Sequence, residues 1–181
     1  EVTPSMAPTP ESKAEAALSS IGQLDVRATT LQMAMVSAGI ANKGVVMHPQ
    51  LIERVLAPNL TPEQNFREAE FSNPISTTTA EQLTDMMVAG VNDSDGAAVK
   101  AKIEGVTVAG KTGTAQNGTD ASGQDLPYTI WFTGFAPAQN PEIALAVVVE
   151  DGGGEAHNFE GTSYDIPTAI GKQIMEAVLN Q

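Results

Sequence analysis

Cysteine is absent from all 181 residues, which excludes a thiolate nucleophile, cysteine-based zinc sites, iron–sulfur clusters and disulfides together. Basic residues are scarce, 9 Lys and Arg against 22 Asp and Glu, for a formal charge of -13. With so few cations and no basic stripe, a phosphate-tracking nucleic-acid binder or a protein held on anionic lipid is excluded. Long apolar runs are missing as well. The longest, Ile143 to Val149, falls far short of the roughly 20 residues that span a bilayer. Neither His-Glu-x-x-His nor Gly-x-Ser-x-Gly occurs, so a zincin helix and an α/β-hydrolase elbow are out. His48 and His157 stand without metal-ligand spacing and read as loop or surface residues, so neither a metal nor a cofactor is expected. The chain opens on Glu1 with no basic-then-apolar leader, and reads as a processed or excised end with any export signal or anchor upstream.

What is present is a globular composition, 41% hydrophobic and 17% charged, sufficient for one folded domain or part of one. Pro4, Pro8 and Pro10 break any helix across the start, and residues 1 to 17 read as a tail or mobile loop ahead of a domain portion over residues 18 to 181. Thr29 and Gln32 have capping-box spacing, with Leu31, Ala34, Met35 and Ala38 following at helical intervals and Gly44 supplying a stop. Pro49 to Leu56 predicts a short strand, and the polar, proline-bearing stretch from Ala57 to Pro74 a loop. A second helix is predicted from Thr78, with Glu81 three positions on and Leu83, Met86, Met87 and Val91 in period. The period then changes. Val106 to Gln116, Tyr128 to Ala136 and Glu142 to Glu150 are rich in Val, Ile, Thr and aromatics and predict three strands. Their connections are too short for crossover helices, so the strands form an antiparallel meander. Gly152 to Gly154 leads to a last helix, with Pro167 at its start and Ile170, Ile174 and Val178 as its apolar side. The predicted class is α/β, an antiparallel sheet flanked by helices.

The sharpest chemical feature lies on the first of these strands, Lys111-Thr-Gly-Thr-Ala-Gln116. A period of two puts Thr112 and Thr114 on one face and Lys111 on the other, and Gly113 leaves the strand thin enough for a ligand to lie along its edge. Two hydroxyls beside a cation suit capture of a carboxylate. Lys111 is also the only Lys or Arg between Lys102 and Lys172. A surface strand with a solvated lysine fits the bare tripeptide equally. A P-loop does not, since Gly113 and a strand-like sequence follow Lys111-Thr112 where that motif needs a helix.

Four segments, Ile21-Gly22-Gln23 through Thr30-Leu-Gln-Met-Ala34, Lys111 to Gln116, Trp131-Phe-Thr-Gly-Phe-Ala-Pro137 and Ile143 to Glu150, occur in the order and spacing of one family. Over residues 18 to 181 the chain resembles the C-terminal half of a penicillin-binding protein transpeptidase domain, nearer the class B, monofunctional type; Thr30 stands where that family usually has Pro. The resemblance implies the fold shared with serine β-lactamases, a five-stranded sheet of which this chain supplies the last three strands. It implies an extracytoplasmic peptidoglycan D,D-transpeptidase, on the cell-envelope side of the bacterial plasma membrane, that is acylated by β-lactams. Lys111 would then support the serine-bearing motifs, and Lys111, Thr112, Gly113 and Thr114 would bind a stem-peptide carboxylate or a β-lactam. The Thr114 backbone N–H would donate to the oxyanion. Such enzymes also need Ser-x-x-Lys and Ser-x-Asn. No serine here has Lys three positions on or Asn two positions on. The nucleophile is therefore expected on an upstream fragment of the same protein, and the chain alone is expected to be inactive. The other readings are a non-catalytic module that recognises peptide termini, or a D,D-carboxypeptidase or serine β-lactamase.

Overall fold

In the computed structural model, residues 3–154 and 162–180 are described; His157 lies outside them. A helix, α1 (Lys13–Ser20), occupies part of the segment expected to be a tail up to residue 17. No proline follows Pro10 there, and the Ser12 hydroxyl caps the helix by accepting from the Glu15 amide at 3.2 Å. Helix α2 (Thr30–Ala41) is capped as its spacing predicts, by Thr29 Oγ1 on the Gln32 amide at 3.1 Å.

The stretch beyond α2 holds more strand than the sequence predicts. Strand β1 (Val46–Met47) pairs antiparallel with β4 (Glu70–Ser72), and β2 (Arg54–Leu56) pairs antiparallel with β3 (Pro62–Asn65). The expected loop from Ala57 to Pro74 thus contains two strands. Residues of β2 and β3 are exposed on both faces, so no alternation is imposed on them. Their turn is set locally: the Leu60 amide donates to the Ala57 carbonyl, and Asn59 Oδ1 accepts from the Thr61 amide and hydroxyl.

Helix α3 (Thr77–Asn92) starts just ahead of the predicted position, because Ser76 is the cap and accepts from the Thr79 amide at 3.1 Å. After a 3-10 turn at Val99–Ala101 come β5 (Ala109–Ala115), β6 (Tyr128–Ala136) and β7 (Ile143–Gly153), one antiparallel sheet in the order β5-β6-β7. The predicted meander is present. Cross-strand pairs share a face, so Thr112 lies with Phe132 and Val147, and Lys111 lies with Thr133 and Ala146.

Helix α4 (Ile166–Leu179) covers the Phe132 face and α2 covers the Thr133 face. Phe132 is fully buried, and a Cβ on Gly110, Gly134 or Gly171 would meet its ring; glycine at three surrounding positions is what lets β5, β6 and α4 close on it. That closure also reverses the predicted face of α4. Pro167, Thr168, Gly171 and Met175 are buried, whereas Ile170, Ile174 and Val178, expected inside, are 38%, 42% and 39% exposed. Thr168 enters the core because its hydroxyl donates to the Ser163 carbonyl at 2.7 Å, so it brings no unpaired polar group with it.

Candidate active site

Strand β5 has β6 on one side only. Its other edge is divided. Along the first half, α3 closes it: Asn92 Nδ2 donates to the Val108 carbonyl at 2.9 Å, and a Cβ on Gly90 would meet the Gly110 carbonyl. Past that point the edge opens. The Thr112 carbonyl accepts from Lys111 Nζ at 2.7 Å and the Thr114 carbonyl from Gln23 Nε2 at 3.3 Å, so both carbonyls point away from β6. In an extended strand the N–H and C=O of one residue point the same way, so the Thr114 N–H also faces the open side.

That edge forms one wall of a cleft of about 250 Å³, with Ile21, Val26, Met33 and Trp131 among its other lining residues. Lys111 and Thr114 are exposed along it, while Thr112 is buried at 9%. Gly113 sits opposite Trp131, where a Cβ would touch the Trp131 Cβ at 3.4 Å; with none there, the indole forms the wall. Trp131 and Phe132 both read as core in the sequence. Phe132 is core, but Trp131 is half-buried and lines the cleft.

Behind Lys111 the cleft floor is fixed by a hydroxyl pair, a buried Ser37 and a half-buried Thr133. Ser37 Oγ of α2 lies 2.6 Å from Thr133 Oγ1, which is cross-strand from Lys111 and also reaches the Leu145 carbonyl at 2.9 Å and the Met33 carbonyl at 3.2 Å. This network ties α2 to β6 and β7, and it satisfies Ser37, which is fully buried. On the opposite face, Thr114 Oγ1 donates to Ser163 Oγ at 3.0 Å.

The structure therefore brings Lys111, Thr112, Gly113 and Thr114 to one cleft, with no hydroxyl among them positioned as a nucleophile by a lysine or histidine in the described residues. Gln23 and Ser163 were not singled out as site residues from the sequence. Gln23 belongs to the Ile21-Gly22-Gln23 segment, which offered a signal. Ser163 offers none, since it meets Thr114 only through the docking of α4. His48 is 5.0 Å from Phe71, edge to face, in keeping with a structural histidine. What the cleft can do chemically is offer an open strand edge and a cation to an anionic, extended ligand, with Thr114 exposed beside them.

Residues 3–176 match the penicillin binding protein transpeptidase domain. Among similar proteins is a peptidoglycan D,D-transpeptidase, PbpA, of Mycolicibacterium smegmatis, 42% identical over 91% of this chain and 32% of its own length. The crystal structure of PBPA from Mycobacterium tuberculosis superimposes with a TM-score of 0.86 at 34% identity, covering 99% of this chain and 41% of that one. The penicillin G acyl-enzyme complex of penicillin-binding protein A from the same organism superimposes at 0.84 with 35% identity, covering 99% of this chain and 38% of that one. The chain spans about a third of the length of the curated relatives it matches.

Proposed function

The chain belongs to the penicillin-binding protein transpeptidase family, and from that premise we propose that the complete protein is a peptidoglycan D,D-transpeptidase. The observation that carries the reading is the open half-edge of β5, with the Thr114 N–H directed into the Lys111–Thr114 cleft. A stem peptide ending in D-alanyl-D-alanine lies along that edge as an added strand. Its terminal carboxylate meets Thr114, Thr112 and the field of Lys111. A serine outside this chain attacks the penultimate carbonyl, and the tetrahedral oxyanion is held by the Thr114 N–H together with the serine's own N–H. Collapse expels D-alanine, and the amine of a second stem peptide releases the acyl group as a cross-link. β-Lactams acylate the same serine, a reading supported by the imipenem and penicillin G acyl-enzyme complexes of penicillin-binding protein A from Mycobacterium tuberculosis.

The nucleophile and its partners, Ser-x-x-Lys and Ser-x-Asn, belong on an upstream portion of the same protein. Neither motif occurs in these 181 residues, and the relatives are about three times longer. The substrate places the site on the cell-envelope side of the bacterial plasma membrane, with the anchor outside this chain; among the described residues no helix is long and apolar enough to cross a membrane. The test is acylation of the complete protein by a fluorescent penicillin, read by gel and by mass. One covalent adduct per molecule is expected. An unlabelled, well-folded protein would overturn the reading in favour of a module that binds peptide termini without reacting.

A further inference from the structure

We propose that Ser163 is a positioning residue for carboxylate recognition, acting through the Thr114 hydroxyl; this rests on the reading of the β5 edge as the carboxylate site. Thr114 is exposed on the edge strand, and its β-branched side chain has few staggered positions to choose from. The 3.0 Å hydrogen bond to Ser163 Oγ selects the one that faces α4. Ser163 itself is only 8% exposed and is held from both sides. Its carbonyl takes the hydroxyl of the buried Thr168 at 2.7 Å, and the turn around it is closed by the Asp165 amide on the Thr162 carbonyl at 2.9 Å. A rigid partner of this kind pre-orients a hydroxyl that would otherwise rotate in solvent.

A hydroxyl has one proton and two lone pairs. Without ligand, the Thr114 proton points to Ser163, and the Ser163 proton has no acceptor among the described residues. A carboxylate arriving at Thr114 can only accept. Thr114 then turns its proton to the carboxylate, and Ser163 turns its own to the vacated lone pair of Thr114 Oγ1. The chain reverses to Ser163, Thr114, carboxylate with every proton engaged, and a hydroxyl that accepts a hydrogen bond is a stronger donor. Both residues line a hollow of about 170 Å³ that shares Thr114 with the cleft. An alanine at position 163 would leave Thr114 to orient alone, with the backbone contact to Thr168 unchanged.

The experiment compares acylation rates of the complete protein with benzylpenicillin, which carries the carboxylate, and with its methyl ester, which does not. Ser163→Ala should slow benzylpenicillin roughly three- to tenfold, the size of one neutral hydrogen bond, and leave the ester rate unchanged. Ser163→Thr, which keeps the hydroxyl, should recover most of the loss. In a Thr114→Val background, Ser163→Ala should have no further effect. Equal slowing of both compounds would assign Ser163 a structural role and overturn the inference, as would an unchanged benzylpenicillin rate. Wild-type protein that takes no adduct from either compound overturns the acylation reading itself, a distinct result.

Discussion

Lys111 shows how much one residue's meaning depends on its surroundings. In sequence it is an isolated cation in an acidic chain of formal charge -13, and a solvated surface lysine accounts for that equally well. In the structure its ammonium bends across the open end of β5 to the Thr112 carbonyl at 2.7 Å, within the cleft and beside the Thr114 edge. A charged hydrogen bond is worth about 1.5 to 3 kcal/mol, so Lys111→Ala in the complete protein should slow β-lactam acylation roughly ten- to a hundredfold. The melting temperature should barely move, because an exposed side chain on a strand edge contributes little packing. A stopped-flow acylation assay beside a thermal melt checks both halves, and an unchanged acylation rate would remove Lys111 from the site. The alternation that separates Lys111 from Thr112 and Thr114 was legible because a strand's period is strictly two. The contrast between a buried Thr112 and an exposed Thr114 was not, because both lie on one face and it depends on how far along β5 the cover on that face extends.

At the scale of elements, periodicity was most informative where one face of a segment is buried. The β6 bounds, Tyr128 to Ala136, are those read from the sequence, and the cap of α2 sits at the predicted Thr29. The exposed β2–β3 hairpin and β4 were missed, since solvent on both faces imposes no pattern. The error on α4 has a different cause. Ile170, Ile174 and Val178 make the more apolar stripe, yet the helix buries Gly171 and Thr168, because closeness to Phe132 and a satisfied hydroxyl decide the docking. Gly171→Ala tests this. An added Cβ would lie 2.5 Å from Phe132 Cδ1, and the ring cannot retreat, being enclosed by Gly110 and Gly134 on the sheet. Alanine favours a helix over glycine by about 1 kcal/mol. Overpacking a closed core costs about 1 to 3 kcal/mol, so a net loss of stability is expected, read as a lower denaturant midpoint. A midpoint at or above wild type would mean that α4 is not held against Phe132.

For the whole molecule, the features left open lie together. Among the described residues the outer edge of β7 has no strand partner, and Ile166, Ile170, Ile174 and Val178 of α4, the helix packed on β6 and β7, are 40%, 38%, 42% and 39% exposed. An unpaired edge and an uncovered apolar stripe of this size favour association and are normally covered in native proteins. An upstream portion carrying Ser-x-x-Lys would complete the sheet and the site in one step. Two consequences separate this from a self-contained binding module. The 181-residue chain alone, incubated with a fluorescent penicillin, should show no covalent adduct by mass spectrometry, since none of its serines has a lysine three positions on. A stoichiometric adduct would mean that one of them is an unrecognised nucleophile. Hydrogen exchange examines the fold directly. In the isolated chain, the amides of Ile143 to Val149 that face away from β6 have no acceptor strand and should exchange quickly, and the loss of an outer neighbour should loosen the inward-facing ones as well. Joined to the upstream portion, both sets should become strongly protected, because β7 is then an interior strand, in keeping with a sequence that is apolar on both faces. Full protection in a well-folded isolated monomer would show that the sheet needs no further strand, and would make the self-contained module the better account.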